Sequence, residues 1–414
     1  MAKAKKKADA RKKSSTKGKV QAASKALKTA VSNALPKSGA KRKAKGAAAA
    51  DAAPTVETRT NVVNDNLLQH IVVVKQFSKT FPTSNVWLLH DGNEAALIDS
   101  GFGDDLCIEE RRKFFQGDGS NFKVGTIAFT HHHSDHTSGG RRLREMLHAE
   151  TAINPIDEVL LHTPPLPSEG NADLPDDPEL ADRVAQWTQE ALDTPIDRPL
   201  SDGETFKVGG LTVRAVHTPG HTAGHNCYFV EETLTLFTGD NVLGVGTSAI
   251  GPPPRGDMQQ YLDSLLRMRD LQAKLFAPGH GPTVTATAAK IQELIDHRGT
   301  RDRQIINLME KGYLTDRQIR RALYPEIQKG LRRAAAGQVR AHLARMVGQG
   351  IVTVQEDEAE KIWKVALTKK RGRSPTPRGA SAQLQRISRG WFAGIEAGNS
   401  AAQAAFTNEG ADAR

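Results

Sequence analysis

The 414-residue chain has only two cysteines, Cys107 and Cys227, and no CxxC pair. This pattern argues against a disulfide framework and a thiolate zinc site, and it suits a reducing compartment. Long apolar runs are also absent. The N-terminus has no continuous apolar segment of the secretory type, and the alanine run at 47–50 is far too short to span a bilayer. We therefore expect a cytoplasmic protein without a membrane segment, with the mitochondrial matrix as the alternative in a eukaryote.

Acidic residues are almost absent from the first 50 positions, which hold 16 Lys and Arg against Asp9 alone. Residues 368–414 hold 8 basic and 3 acidic residues, and the whole chain has a net charge of +10, so residues 51–367 carry −10. The basic ends therefore do not make the body a nucleic-acid-binding fold. With few large apolar side chains, residues 1–62 and 368–414 are predicted to be disordered basic tails that could bind nucleic acid weakly.

Short β-type runs and helical patterns alternate between residues 63 and 300, which predicts one α/β layered domain. The predicted strands are 71–74, 86–89, 95–98, 124–130, 211–216, 227–230, 233–237 and 275–277. The predicted helices are 107–115, 139–149, 179–192, 258–271 and 286–297. Beyond this domain, a helix opened by a Thr315-x-x-Gln318 capping box and a second helix at 338–348 precede two short strands. That order is typical of a winged helix, which we place at 301–367.

The chemistry is concentrated in one string, Thr130-His131-His132-His133-Ser134-Asp135-His136, directly after an apolar strand. Three further motifs each follow a strand at a Gly or Pro turn: Thr218-Pro219-Gly220-His221, Thr238-Gly239-Asp240 and Pro278-Gly279-His280-Gly281-Pro282. Imidazole suits zinc, and a carboxylate can bridge two ions. Two ions about 3.5–4 Å apart can hold one hydroxide between them. The motifs therefore predict a binuclear metal site.

This HxHxDH string, with its later His, Asp and His, resembles the metallo-β-lactamase superfamily. The resemblance implies a four-layer αββα sandwich with two divalent ions, for which we expect zinc. By match to the family's motifs, the first ion would be held by His131, His133 and His221. The second would be held by Asp135, His136 and His280, with Asp240 as the bridge. Asp99 matches the acid that orients one of the ligands. His132 is expected to point away from the ions, and His217 and His225 to be structural.

Several segments also resemble the β-lactamase-like protein 2 family, whose members include an endoribonuclease that acts on single-stranded RNA. Relatives in secondary metabolism hydrolyse thioesters. The segments are residues 239–247, 261–265 and 297–301 and the winged helix that ends in Trp363-Lys364. The resemblance spans residues 66–367. It implies that a metal-bound hydroxide cleaves an ester-type bond, either a phosphodiester of single-stranded RNA or a thioester. Asp135 and a metal-bound water are the default candidates for protonating the leaving group.

Two features bear on the substrate. Residues 157–204 hold 13 acids against Arg183 and Arg198, and at the mouth of the site they would repel a polyanion. This favours a small ester or thioester. The alternative function is a nucleic-acid-binding winged-helix protein with a vestigial or regulatory metal site. Four arginines could then contact phosphates, although the acidic turn at 356–360 favours a bracing role; they are Arg332, Arg333, Arg340 and Arg345. The sequence leaves the oligomeric state open.

Overall fold

The protein's structure, a computed structural model, describes residues 56–74, 83–164, 178–327 and 331–368. The predicted tails lie almost entirely outside these residues. The prediction of disorder as far as residue 62 is wrong at its end, because strand β1 occupies Val56–Asn64. This strand pairs antiparallel with residues 67–74, from Val56 opposite Val74 to Asn64 opposite Leu67. Main-chain pairing of this kind does not require large apolar side chains, so composition alone missed it.

Fourteen strands occur in the described residues. They are β1, β2 (Leu67–Val74), β3 (Asn85–Asp91), β4 (Glu94–Ile98), β5 (Lys123–Ala128), β6 (Glu150–Ile153), β7 (Arg198–Pro199), β8 (Thr205–Val208), β9 (Leu211–His217), β10 (Asn226–Val230), β11 (Thr235–Gly239), β12 (Leu275–Pro278), β13 (Val352–Asp357) and β14 (Ile362–Leu367). Strands β1 to β7 form one sheet in sequence order, and a second sheet has the order β12-β11-β10-β9-β8. Every strand predicted from the sequence is present. The prediction omitted β1, β6, β7 and β8, all but β1 of which are four residues or shorter.

The helices of the described residues lie between and after these strands. They are α1 (Asp105–Gln116), α2 (Ser134–Thr137), α3 (Gly140–Leu147), α4 (Pro155–Leu161), α5 (Pro178–Leu192), α6 (Met258–Asp270), α7 (Thr287–Glu310), α8 (Asp316–Leu323) and α9 (Arg332–Gly348). Helix α4 was not predicted, although Asn154 caps it by accepting a hydrogen bond from Ile156 N and Pro155 opens it. None of these helices combines the length and apolar character needed to cross a bilayer.

The two sheets pack face to face and carry helices on their outer faces. Because side chains alternate along a strand, Trp87 enters the core between the sheets, while Leu88 enters the core beneath α1 and α3. On the other side, Tyr261 of α6 and Leu294 of α7 cover the second sheet. The layers are therefore helix, sheet, sheet, helix, and the predicted αββα sandwich is confirmed.

The winged helix follows without a break in secondary structure. Helix α7 is continuous across the predicted domain boundary at residue 300. Its first half buries Leu294 against the second sheet, and its second half buries Ile305 in a separate core with α9 and the β13–β14 hairpin. Thr315 caps α8 by accepting from Gln318 N, while Gln318 Oε1 accepts from Leu314 N, as the capping box predicted. One long helix thus serves both domains.

Candidate metal centre

Four loops converge at the ends of strands from both sheets. The His131–His136 segment follows β5 of the first sheet, whereas His221, Asp240 and His280 follow β9, β11 and β12 of the second. Direct hydrogen bonds join the loops: Asn226 N donates to Thr130 O at 2.8 Å, and Gly279 N donates to Gly239 O at 2.8 Å. The packing of one sheet on the other therefore brings residues from separate motifs to one place.

Three histidines form one group, which we call the three-histidine group: His131, His133 and His221. His133 Nδ1 lies 2.9 Å from His131 Nε2 and 3.0 Å from His221 Nε2. Three ring nitrogens thus face a single point. This arrangement matches the first ligand set that the sequence predicted.

A second group, the carboxylate group, contains Asp135, His136 and His280. Asp135 Oδ2 lies 3.1 Å from His280 Nε2 and 3.4 Å from His136 Nε2. The short helix α2 places Asp135 and His136 one after the other at this point, because it begins directly after His133. The three residues are those of the second predicted ligand set.

Asp240 lies between the two groups. Its Oδ1 is 3.4 Å from both His136 Nε2 and His280 Nε2, while its Oδ2 is 3.7 Å from His221 Nε2. One carboxylate oxygen therefore faces each group, as a bridging ligand requires. Gly279 makes this approach feasible, since a Cβ at that position would lie 2.7 Å from Asp240 Oδ1.

The donor set fits divalent cations. His136 Nε2 and Asp240 Oδ1 are fully buried and have no hydrogen-bond partner. A buried polar atom without a partner is costly, and a cation between these atoms would satisfy both. Imidazole nitrogens together with carboxylate oxygens are ligands that zinc and related ions accept.

Outer contacts leave the inward-facing ring nitrogens available. His136 Nδ1 lies 2.8 Å from Asp99 Oδ2, so Asp99 contacts a candidate ligand in the way that its predicted orienting role requires. The hydroxyl of Thr130 contacts Asp99 at 3.0 Å and His131 Nδ1 at 3.0 Å. With Nδ1 as the donor in both rings, each Nε2 keeps its lone pair for an ion. Asp99 has a φ of 63°, a left-handed conformation that Asp tolerates better than most residues.

The two candidate histidine ligands of the second sheet, His221 and His280, are held by main-chain oxygens. His280 Nδ1 donates to Thr83 O at 2.9 Å, and His221 Nδ1 donates to Ala249 O at 2.9 Å. Ser248 Oγ lies 3.0 Å from the same His221 nitrogen, and Ser248 is buried. Ser248 therefore lies behind a candidate ligand.

Asp157 is a buried residue that sequence reasoning missed, because it was counted with the acidic insertion. It accepts hydrogen bonds from His132 N and Thr222 Oγ1, and its other oxygen accepts from Gly224 N. It therefore ties the loop after β5 to the loop that carries His221. His132 Nδ1 also lies 3.0 Å from Asp157, so His132 does turn away from the ligands as predicted.

His217 and His225, which flank the His221 turn in sequence, have structural contacts, as predicted. His225 Nε2 accepts from Asp240 N at 3.2 Å, and His217 Nε2 contacts Ala223 O at 3.0 Å. Burial lowers the pKa of His225 to about 3, so this ring is neutral. A neutral ring can accept the hydrogen bond that fixes the main chain at Asp240.

The two groups differ in electrostatics. Burial and the neighbouring imidazoles hold the pKa values of His131 and His133 well below the usual range, and burial also lowers that of His221. In the carboxylate group, burial opposes protonation of His280, but Asp240 and Asp135 raise its pKa to about 9. Burial would raise the pKa of Asp135, yet His136 and His280 outweigh it and hold that pKa well below its usual value.

A cavity of about 240 Å³ adjoins the three-histidine group. His133 and His221 line it, and helices α4 and α5 contribute Leu160, Leu161 and Leu192. Among the residues that the structure describes, the lining also includes Arg255 and no carboxylate. The described part of the acidic insertion therefore borders the cavity with leucine side chains. The predicted repulsion of a polyanion by the whole insertion stays a prediction.

Several carboxylates of the insertion are instead paired away from the cavity. Glu190 forms an ion pair with Arg141, and Asp197 forms one with Arg144. Glu190, Asp197 and buried Asp157 are thus three acids of the insertion that already have partners within the fold. Composition alone had assigned them to the mouth of the site. A count of charges could not show which face of each helix they occupy.

Comparison with known proteins agrees with the geometry. Residues 80–280 match the family model described as metallo-beta-lactamase superfamily, and residues 315–363 match that described as beta-lactamase associated winged helix domain. The lactamase-like protein aptB of Emericella nidulans is 30% identical over 263 residues, 61% of this chain and 72% of aptB. The lactamase-like protein adaB of Aspergillus niger is 33% identical over 228 residues, which is 55% of this chain. The match spans only 59% of the length of adaB.

A relative with an activity in its name is the atrochrysone carboxyl ACP thioesterase of Aspergillus fumigatus, 31% identical over 54% of this chain and 58% of its own length. Among solved structures, a metallo-beta-lactamase family protein from Thermus thermophilus has a TM-score of 0.59 at 23% identity, covering 74% of this chain and all of that one. A beta-lactamase domain protein from Burkholderia ambifaria has a TM-score of 0.62 at 19% identity, covering 74% and 93%. Both support the fold. The chain belongs to the metallo-β-lactamase superfamily of hydrolases and carries that superfamily's associated winged-helix domain.

Proposed function

We propose that this protein hydrolyses a small acyl thioester at a centre of two zinc ions. The observation that carries the proposal is the cavity beside His133 and His221, which Leu160, Leu161, Ala191 and Leu192 line with apolar surface. An acyl chain gains about 0.8 kcal/mol for each CH₂ group that it buries, whereas a ribose-phosphate chain gains little from leucine walls. The relatives named as thioesterases support the same substrate class.

The seven predicted ligands would hold the two ions. The three-histidine group would hold one, the carboxylate group the other, and Asp240 would bridge them. When bound, two divalent ions would supply Lewis-acid activation of water and of the thioester carbonyl. Around them, Asp99, Thr130 and the carbonyls of Thr83 and Ala249 would keep each imidazole in the tautomer that an ion needs.

Asp135 is the proposed catalytic residue. Its side chain is 25% exposed, against 14% for that of Asp240, so a bound substrate can reach it more readily. As a ligand of the second ion, Asp135 would enter the reaction as a carboxylate, because a carboxyl group binds a metal ion in its deprotonated form. It would therefore accept a proton from the attacking water and then return it to the departing sulfur. This order replaces the simple acid role that the sequence favoured.

Turnover by the purified, zinc-loaded protein, measured on a panel of substrates, would test the proposal. The panel would include acetyl, hexanoyl and decanoyl thioesters, a single-stranded RNA, a phosphodiester reporter and a β-lactam. We expect turnover of the thioesters, with kcat/KM rising with chain length until the cavity is filled. Cleavage of RNA with inert thioesters would reject the thioester assignment and support the endoribonuclease one.

Leu192→Trp would test the cavity itself, because the larger ring would occupy its volume. Loss of about two buried CH₂ groups corresponds to roughly a tenfold lower kcat/KM for the decanoyl thioester. Acetyl thioester turnover should change less than about threefold. Leu314→Trp is the matched control, since Leu314 is 54% exposed on the winged helix. Equal effects of the two variants on every chain length would contradict the assignment of the cavity.

The basic tails are a separate part of the proposal, and they would govern any weak binding of nucleic acid. Because β1 begins at Val56, a truncated chain that keeps the whole folded body should span residues 54–368. For single strands, each phosphate contact that is lost should flatten the dependence of log K on log salt by about 0.7. An unchanged slope would move the binding surface to the folded body.

A further inference from the structure

A short loop at residues 248–250 supports His221 from behind. Ala249 O accepts a hydrogen bond from His221 Nδ1 at 2.9 Å, and Ser248 Oγ lies 3.0 Å from the same nitrogen. The loop belongs to no helix or strand, yet Ser248 and Ile250 are buried. Whatever holds this loop therefore decides where His221 Nε2 points.

Two side chains from distant parts of the chain hold the loop. Gln338 Oε1, on α9 of the winged helix, accepts from Ile250 N at 2.8 Å. Arg298, on α7, donates to Ser248 O at 2.7 Å. Gln338 is 8% exposed and Arg298 is 1% exposed, so both contacts are sheltered from water. A buried amide N–H that lost its acceptor would leave the loop free to shift toward solvent.

The face of α9 that carries Gln338 packs against the catalytic domain. Ala341, about one turn further along, belongs to the core that covers the second sheet, and Arg345 Nε donates to Gln259 of α6 at 3.1 Å. Two of the four arginines considered for phosphate binding form ion pairs within the chain: Arg340 pairs with Asp316, and Arg345 pairs with Asp302. This helix therefore presents its contacts to the catalytic domain.

We propose that Gln338 is a positioning residue for His221, and that the winged helix thereby tunes the three-histidine group. It acts through Ile250 N and the 248–250 loop, and it touches neither substrate nor ion. Gln338 lies 88 residues from Ile250 in sequence and belongs to the winged helix. The zinc affinity of the catalytic domain would therefore depend on the packing of the winged helix against it. The inference rests on the metal site proposed above, not on the choice of substrate.

Three variants of the full chain test this role. Gln338→Leu removes the acceptor at similar volume, and Gln338→Glu keeps an oxygen for Ile250 N. Val339→Ala is the control, because Val339 is buried at 1% exposure in the winged-helix core and lies outside the loop contact. Zinc affinity is measured by competition with a chromogenic chelator, the site is followed by the visible spectrum of the Co²⁺-substituted protein, and the Tm is recorded without metal.

We expect Gln338→Leu to weaken the binding of one of the two zinc ions about tenfold, at the lower end of the effect of outer contacts on ligands, and to alter the Co²⁺ spectrum. Gln338→Glu should restore both to within about threefold. Val339→Ala should lower the Tm without changing zinc affinity. If Gln338→Leu lowers only the Tm, or if Val339→Ala weakens zinc equally, the positioning role is wrong. A wild-type chain that binds no zinc would reject the proposed site and this inference together, whereas zinc binding with unaffected variants would reject the inference alone.

Discussion

The three-histidine group and the carboxylate group of the candidate metal centre differ in the chemistry of their side chains. The three-histidine group consists of imidazoles that burial keeps neutral, and its outer supports are hydroxyls and main-chain carbonyls. The carboxylate group combines two imidazoles with Asp135, and two further acids lie beside it: Asp240, which faces both groups, and buried Asp99, which contacts His136. The first half needs no proton removed before an ion can bind. The second half holds protons that an incoming cation would have to displace.

Asp240 therefore lies between two proposed metal sites of unequal chemistry. A group of neutral imidazoles attracts a cation through lone pairs alone, while the second group adds negative charge. Loading of the second site should therefore depend more on pH and on its outer acid. Three variants test this difference, from the largest expected loss of zinc affinity or turnover to the smallest.

Asp240→Ala should have the largest effect, because Asp240 presents one oxygen to each half. Loss of an outer contact alone lowers metal affinity or activity about 10- to 100-fold, so loss of the bridge should lower turnover more than about 100-fold. Elemental analysis should find the zinc content falling from two ions per chain toward one. Asp202→Ala is the control, since Asp202 pairs with Arg267 on the surface. Full occupancy with undiminished activity would remove the bridging assignment.

Asp99→Asn should follow, and it should act on the carboxylate half. The amide keeps the shape but removes the charge that stabilises the Nδ1–H of His136 at 2.8 Å. We expect a loss of roughly 10- to 100-fold in the affinity of one zinc ion. Stepwise zinc titration of the variant would measure it. If the variant bound both zinc ions more weakly by the same factor, the two groups would not bind their ions independently, contrary to what their separate contacts indicate.

Ser248→Ala should have a smaller effect, confined to the three-histidine half. His221 Nδ1 would keep its hydrogen bond to Ala249 O at 2.9 Å after the hydroxyl is lost. A loss of less than about tenfold in zinc affinity is therefore expected, below the usual range for outer contacts. Chelator competition beside Asp99→Asn would measure the difference. If Ser248→Ala lost more zinc affinity than Asp99→Asn, the three-histidine group would depend more on its outer contacts than the carboxylate group, which is the opposite of what we expect.

The pH dependence of the metal-stripped protein is a separate measurement, of folding stability rather than of zinc affinity or turnover. The pKa of His280 is raised from 6.5 to about 9, so its stabilising contribution is fully present below pH 6.5 and is lost as the pH rises through 9. At about 1.4 kcal/mol per pKa unit, the contribution is on the order of 3 kcal/mol. Unfolding of wild type and His280→Asn by denaturant at pH 6 and pH 9.5, with a chelator present, would measure it. A difference between the two proteins that does not change with pH would contradict the assignment.

Strand and ligand motifs were readable from the sequence because each is local. An apolar β-type run followed by a Gly or Pro turn predicts where a side chain leaves a sheet edge, and this held for β5, β9, β11 and β12. The short pieces were harder. Strand β6 spans four residues, and α4 lay inside a segment whose acidic composition hid its cap at Asn154.

The family, the layered α/β architecture and the seven converging residues could be predicted from the sequence, because each is encoded by residues adjacent in the chain or by a strand's alternation. The contacts that surround these residues could not. Asp157 meets Thr222 across 65 residues, Ser248 meets His221 across 27, and Gln338 meets Ile250 across 88. No local pattern marks such pairs, because they depend on how the two sheets and the winged helix pack. The same packing places Leu160, Leu161 and Leu192 of the acidic insertion beside the candidate metal centre.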